Sequence, residues 1–281
     1  MFRLPQMICE FKLPIGIGDF VLSYSILEQI KNKYSEIRIC PNYQIVKSFR
    51  GGSKESTNFV ERLATTIYNH PPYNVLKESN AKYMHVIHLA NHLALTTQYV
   101  DLQEKFCLPS TIDIGTNNYI VVSTKIRHLS QESFDSVKKE VFTILRNSTK
   151  KIVLIGERRV EFPESKEVNI RSIYPDLVKA LSGIKYIDLT KDVIMSKPNF
   201  ENFRKDLTIA RDAKGVITFG VSGMTTMLAS TSNFLAGYRN DPLYFKLALK
   251  YIDGFHNNMG ADRVISNDKN KFLTHLKLLC L

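Results

Sequence analysis

The chain has 281 residues, enough for one large domain or for two of about 100–150 residues, each with its own core. Its apolar share of 44% and charged share of 23% are those of a soluble globular protein, and no run approaches the ~18 apolar residues of a membrane span. The formal charge of +11 is unevenly placed: 12 Lys+Arg face 10 Asp+Glu up to Gly115, and 26 face 17 from Thr116 onward. The second half is therefore the better candidate for an acidic partner, whether nucleotide, nucleic acid or anionic membrane surface; scattered solvated lysines are the plainer alternative. The opening MFRLPQMICEFKL lacks a long apolar core, so no secretory leader is expected and the cytoplasm is the expected compartment. Cys9, Cys40, Cys107 and Cys280 show no metal-ligand spacing and read as buried free thiols.

In chain order, Gln6 to Phe11 is a plausible first strand, and Pro14 to Asp19, with Gly16 and Gly18, is a glycine turn. Phe20, Tyr24, Leu27, Ile30 and Tyr34 fall at helical spacing, which predicts a helix over 20–34. Ile37 to Cys40 is the second strand, and this βαβ opening predicts a parallel sheet. Asn42 to Ser56 reads as loop, Asn58 to Tyr68 as helix, Tyr83 to Leu89 as strand and Asn91 to Phe106 as helix. Pro109 to Asn118, with Pro, Gly and two Asn, is the expected interdomain linker.

The alternation then restarts more clearly. Tyr119 to Ser123 is a strand, Thr124 to His128 its loop, and Ser130 caps a helix striped by Phe134, Val137, Val141 and Leu145. Lys151 to Ile155 is a strand, with Gly156 to Arg159 as the turn after it. Ile173, Leu177 and Leu181 mark a helix, Tyr186 to Leu189 a strand, and Phe200, Phe203, Leu207 and Ala210 another helix. Val216 to Phe219 is a β-branched and aromatic run, hence a buried strand; Gly220 and Gly223 bracket a tight turn, and Met224 to Ala229 reads as helix. Phe234 to Tyr238 is a last strand, 244–255 and 271–281 are closing helices, and 255–263 is loop. Two successive α/β units of similar size point to two doubly wound domains facing each other.

Strand, small-residue turn and helix at Val216 to Ala229 aim free N–H groups and a positive dipole end at one point, which suits an anion. An ordinary strand-to-helix crossover has the same pattern. Ser222, Thr225 and Thr226 add hydroxyls there.

Several of these segments together resemble one family. Gly18-Asp19 followed by a helix with Leu22 and Leu27, then YIVVSTKIR, a helix and KIVLIGERR, then DLTIARDAKGVITFGVSGMTTMLAS, is similar in order and spacing to the ADP-heptose:lipopolysaccharide heptosyltransferases. The likeness spans most of the chain except 42–116. This chain departs from that family at Val221, where an acidic residue is usual, and at Met224 and Thr226, where Pro and His are usual, so the sugar is not implied.

What the resemblance implies is an α/β, GT-B-like architecture: two doubly wound Rossmann-like domains facing a cleft. Residues 1–115 would hold the acceptor, 116–265 the nucleotide-sugar donor, and a helix within 266–281 would pack back on the first domain. It further implies a glycosyltransferase acting on a glycan or glycolipid acceptor, with possible peripheral contact to an anionic membrane and no nucleic acid. Asp19 is the implied base, its other reading being a carboxylate that complements the helix dipole.

The departing diphosphate needs compensating charge. No DxD pair stands at a strand end, with Asp113 alone in its loop and Asp241 lacking an acidic neighbour two residues away, so no metal and no cofactor are expected. Ser222, Gly223, Thr225 and Thr226 would supply donors; Lys125 and Arg127 lie on a strand-end loop, and Gly156, Glu157 and Arg158 follow another strand. Of the histidines, His85, His88 and His92 read as structural, and His128 beside Arg127 is the one kept as a site candidate.

Three other readings compete. A methyltransferase would use Ile15 to Asp19 as a cofactor turn but lacks an acidic end to its second strand, where Pro41 stands. A sugar-nucleotide epimerase of GT-B shape is close in architecture. A non-catalytic basic module binding nucleotide or nucleic acid lacks aromatic-basic interleaving and a helix-turn-helix signature.

Overall fold

In the computed structural model, which describes residues 7–44, 53–161, 170–194, 198–239 and 254–281, the chain opens with the βαβ unit that the glycine turn predicts. Strand β1 (Ile8–Leu13) leads into helix α1 (Ile17–Leu27), and β2 (Glu36–Pro41) returns parallel to β1, Ile8 opposite Glu36 and Leu13 opposite Pro41. Helix α1 is buried from Phe20 to Leu27, as a helix apolar on all sides must be. It starts earlier and ends sooner than the predicted 20–34, and a 3-10 turn over Lys31–Lys33 follows.

Helix α2 (Lys54–Ile67) is capped by Ser53, whose side chain accepts the Ser56 N–H, and a short β3 (Tyr73–Val75) joins β2 in parallel. The predicted loop from Asn42 to Ser56 thus ends in helix, with 45–52 outside the described residues. Tyr83 to Leu89 is not a strand. Tyr83 makes one bridge to Lys12 of β1, and α3 (Val86–Leu93) begins three residues later, burying Val86, Leu89 and Ala90 at i, i+3 and i+4. The helix expected over 91–106 is also corrected: Ala94 adopts φ +52° and ends α3, and only α4 (Gln103–Phe106) is helical beyond it.

The chain divides into two compact units, the first holding 1–100, 196–200 and 248–258, the second 101–195, 201–247 and 259–281. The division falls at Val100, ahead of the expected linker; residues 101–118 belong to the second unit. Residues 254–258 belong with the first: Phe255 is buried with its ring 5.7 Å from that of Tyr99, and a β-carbon on Gly254 would overlap the Thr97 carbonyl oxygen.

The second unit contains β4 (Tyr119–Arg127), α5 (Gln131–Arg146), β5 (Lys151–Ile155), β6 (Glu157–Glu161), β7 (Ile170–Ser172), α6 (Tyr174–Ala180), β8 (Tyr186–Asp188) and β9 (Lys191–Ile194). It continues with α7 (Phe200–Asp212, from Glu201 in this unit), β10 (Gly215–Gly220), α8 (Gly223–Thr231), β11 (Leu235–Tyr238), β12 (Arg263–Ser266) and α9 (Lys269–Cys280). The main sheet runs β12-β11-β10-β4-β5-β8, all parallel, with β7 antiparallel on the end of β4; β6 and β9 form a separate pair. Two expectations are corrected here. Residues 124–127 extend β4 rather than forming a loop, and Glu157 to Arg159 form strand rather than turn.

Ser130 caps α5 as expected, and Phe134, Val137, Val141 and Leu145 are its buried face. The core interlocks edge-to-face, with Phe134 and Phe219 rings 5.3 Å apart and Phe219 and Phe272 rings 6.1 Å apart. Phe272, Leu276, Leu279 and Cys280 of α9 all join this core, so the closing helix is built into the second unit. The helix expected over 244–255 lies outside the described residues up to 253, as does Asp241.

Candidate functional site

The order of strands in the second unit's main sheet reverses at β4. From there the chain winds outward through β5 to β8 on one side, and through β10, β11 and β12 on the other. Ligands of open α/β sheets bind beyond the strand ends at this reversal. The residues placed there are Lys125, Arg127 and His128 from β4, and Gly220 to Met224 from β10 into α8.

Ser222 is the N-cap of α8, and its hydroxyl accepts the Thr225 N–H at 3.0 Å. The Thr225 hydroxyl lies 3.0 Å from that of Ser222 and donates to the Gly220 carbonyl at 3.3 Å, while Thr226 donates to the Ser222 carbonyl at 3.2 Å. Ser222, Thr225 and Thr226 are all buried. Their hydroxyls bond one another and the backbone. What remains are the N–H groups of the first two helical residues, Gly223 and Met224, which have no carbonyl partner within a helix and are half-buried. Val221 is buried, and its N–H donates to the Arg127 carbonyl at 2.9 Å.

Arg127 is exposed. His128 holds a left-handed backbone at φ +56°, and burial, then the neighbouring Arg127 charge, lowers its imidazole to about 4. Lys125 does not share Arg127's exposure: its Nζ pairs with Glu157 Oε1 at 3.0 Å, both side chains less than 20% exposed (19% and 15%). Gly156, between β5 and β6, needs φ +99°, and a β-carbon there would meet Thr124 Oγ1 at 2.9 Å. Arg158 bonds Asp188 at 3.1 Å and Thr190 at 3.0 Å. Burial would raise Asp188, but hydrogen bonds from Thr190 and Tyr174 and the Arg158 charge hold it below the usual carboxylate range.

Close by, Lys191 pairs with the buried Asp206 at 2.9 Å, and burial pushes that carboxyl up. Glu157 is thus the ion-pair partner of Lys125 and Arg158 that of Asp188.

In the first unit, Gly16 is the N-cap of α1, and Gly18 and Asp19 are the second and third residues of its first turn. A β-carbon on Gly16 would overlap Asp19 Oδ2, so the glycine is what lets the carboxylate fold back over the helix start. Asp19 Oδ1 lies 3.9 Å from Nε2 of His85, the N-cap of α3. Sequence reasoning set His85 aside; the capping position before Val86, Leu89 and Ala90 was the available signal. Among the described residues no cluster of three or more His, Cys, Asp or Glu could hold a metal, and no helix is long and apolar enough to cross a membrane.

This arrangement is an α/β fold built on parallel sheets. A solved dodecameric, iron-containing heptosyltransferase, TibC, in complex with ADP-D-β-D-heptose is similar at a TM-score of 0.50 and 10% identity, over 98% of this chain and 73% of that one. A second TibC structure, from enterotoxigenic E. coli H10407, matches at a TM-score of 0.47 and 11% identity over 84% of this chain, which spans 59% of that protein. The E. coli ADP-heptose lipopolysaccharide heptosyltransferase II matches at 0.47 and 10% identity, over 98% of both chains. No protein-family model and no curated protein matches the sequence.

Proposed function

We propose that this chain is a metal-independent, inverting glycosyltransferase of GT-B type, moving a sugar from a nucleotide-sugar donor to a hydroxyl of a glycan or glycolipid. The observation that carries the reading is the open strand reversal of the second unit, where the Gly223 and Met224 amides and exposed Arg127 stand at the ends of β10 and β4. Amides at a helix start together with a guanidinium suit a diphosphate. The likeness to TibC in complex with ADP-D-β-D-heptose supports the same assignment.

In this reading the first unit holds the acceptor, and Asp19 takes the proton of its hydroxyl. The freed oxygen attacks the anomeric carbon from the face opposite the leaving group. The bond from that carbon to the diphosphate oxygen breaks, and the electron pair leaves with the diphosphate. A positioned base contributes about 10²–10⁴-fold, and fixed donors at the departing charge contribute most of the remainder. The +9 excess of the second half suits an anionic donor and peripheral contact with an anionic membrane on the cytoplasmic side.

The test is thermal. ADP, UDP or GDP without Mg²⁺ should raise the melting temperature, and S-adenosylmethionine and oligonucleotides should not. Stabilisation by S-adenosylmethionine alone, or a salt-steep oligonucleotide affinity without a nucleotide effect, would replace this reading. A panel of nucleotide sugars, ADP-heptose included, then identifies the donor, and Asp19→Asn should abolish transfer while keeping nucleotide binding.

A further inference from the structure

We infer that His85 is the positioning residue of Asp19, presenting an N–H to the carboxylate and holding it aimed for proton transfer. The inference rests on the reading of Asp19 as the base, but the contact stands on geometry alone. As N-cap of α3, His85 accepts the Ile87 N–H on Nδ1 at 3.4 Å. A neutral imidazole that accepts on Nδ1 carries its proton on Nε2, and Nε2 is the atom that lies 3.9 Å from Asp19 Oδ1. The capping bond thus selects the tautomer that Asp19 needs.

The other carboxylate oxygen, Oδ2, is accommodated by the missing side chain of Gly16. One oxygen faces His85 and the other the space left by the missing side chain of Gly16. Tyr83, at the bridge to β1, also faces the group: burial first, and then the Asp19 charge, raises its hydroxyl. Asp19 and His85 keep 33% and 43% of their side-chain surface, so an acceptor can reach them. At 3.9 Å the contact is longer than a hydrogen bond, and catalytic contacts commonly shorten when substrate arrives.

Two variants separate positioning from capping. His85→Asn keeps a strong N-cap but is too short to reach Asp19; His85→Gln restores a donor at the reach of Nε2. With the donor selected by the nucleotide-sugar panel, His85→Asn should keep its melting temperature and donor KM and lose about 10–100-fold in kcat, and His85→Gln should recover most of that loss. Independently of any substrate, nitrogen-15 NMR of the His85 ring should show its proton on Nε2, and the Nε2 signal should move when Asp19→Asn removes the neighbouring charge. A wild-type kcat in His85→Asn, or an Nε2 signal that ignores Asp19→Asn, overturns the inference. Should Asp19→Asn itself transfer at the wild-type rate while the Nε2 signal still moves, the base reading fails and takes the catalytic meaning of His85 with it, leaving the contact intact.

Discussion

Gly220 approaches the carbonyl of Arg127 so closely that a β-carbon on it would overlap that oxygen, and its own backbone stands at φ +74°. The ends of β10 and β4 meet at this point, and the amide of the next residue, Val221, is bonded to the same carbonyl. Both the space and the torsion exclude a side chain. Gly220→Ala should therefore destabilise the second unit by about 2–4 kcal/mol, read as a lower urea midpoint, because backbone cannot yield as a flexible side chain would. An alanine variant of wild-type stability would mean that the two strand ends separate easily.

The two cations of β4 should behave differently when removed. Lys125→Met leaves Glu157 half-buried without its ion-pair partner, and a cost of about 1–3 kcal/mol in stability is expected. Its effect on ADP affinity should be small, because the ammonium is already engaged. Arg127 is exposed, so Arg127→Ala should move stability by no more than about 0.5 kcal/mol. The same change should weaken ADP binding roughly tenfold, the worth of a charge-assisted contact. Calorimetric titration of both variants checks the pair, and equal losses of affinity would count against the distinction.

His128 makes stability depend on pH. Its imidazole falls from 6.5 to about 4 because burial, and then the Arg127 charge, disfavours the protonated ring. Between those values the unfolded chain binds more protons than the folded one. The contribution is present above 6.5 and is lost as pH falls towards about 4. Complete linkage would amount to about 3 kcal/mol, and partial exposure reduces the expectation to about 1–2 kcal/mol. His128→Asn, whose side chain tolerates the left-handed backbone, should flatten the decline in urea midpoint across that window. An unchanged slope would assign the acid sensitivity to other groups.

How much of this was legible depended on whether the signal was local. Ile120 to Val122, Ile152 to Ile155 and Val216 to Phe219 are continuous β-branched and apolar runs, as strands covered on both faces must be, and each is a strand of the main sheet. The strands β3, β6 and β12 did not announce themselves: β3 has three residues, β6 opens on Glu157-Arg158-Arg159, and Arg263 leads β12. Tyr83 to Leu89 was ambiguous because Val86 and Leu89 satisfy a short apolar run as well as a helical face. At the site, the stretch around Ser222 was readable because strand, cap and helix are adjacent in the chain. The partners were not: Glu157 lies 32 residues from Lys125, and His85 lies far along the chain from Asp19, so topology alone brings them together.

Ser222 offers the sharpest separation of structure from function, because its hydroxyl caps α8 beside the amides proposed to meet the diphosphate. Ser222→Ala should cost about 1 kcal/mol through the lost cap, with only a small change in ADP affinity. Ser222→Asp keeps a capping oxygen and adds a charge that the helix dipole favours, so the unliganded protein should hold its stability. That same charge lies against the Gly223 and Met224 amides and repels an incoming phosphate. ADP affinity should drop tenfold or more in the aspartate variant, and most steeply at low salt, where the charge is least screened. Titration at two ionic strengths checks this, and an aspartate variant that binds ADP as the wild type does would move the diphosphate away from this end of α8.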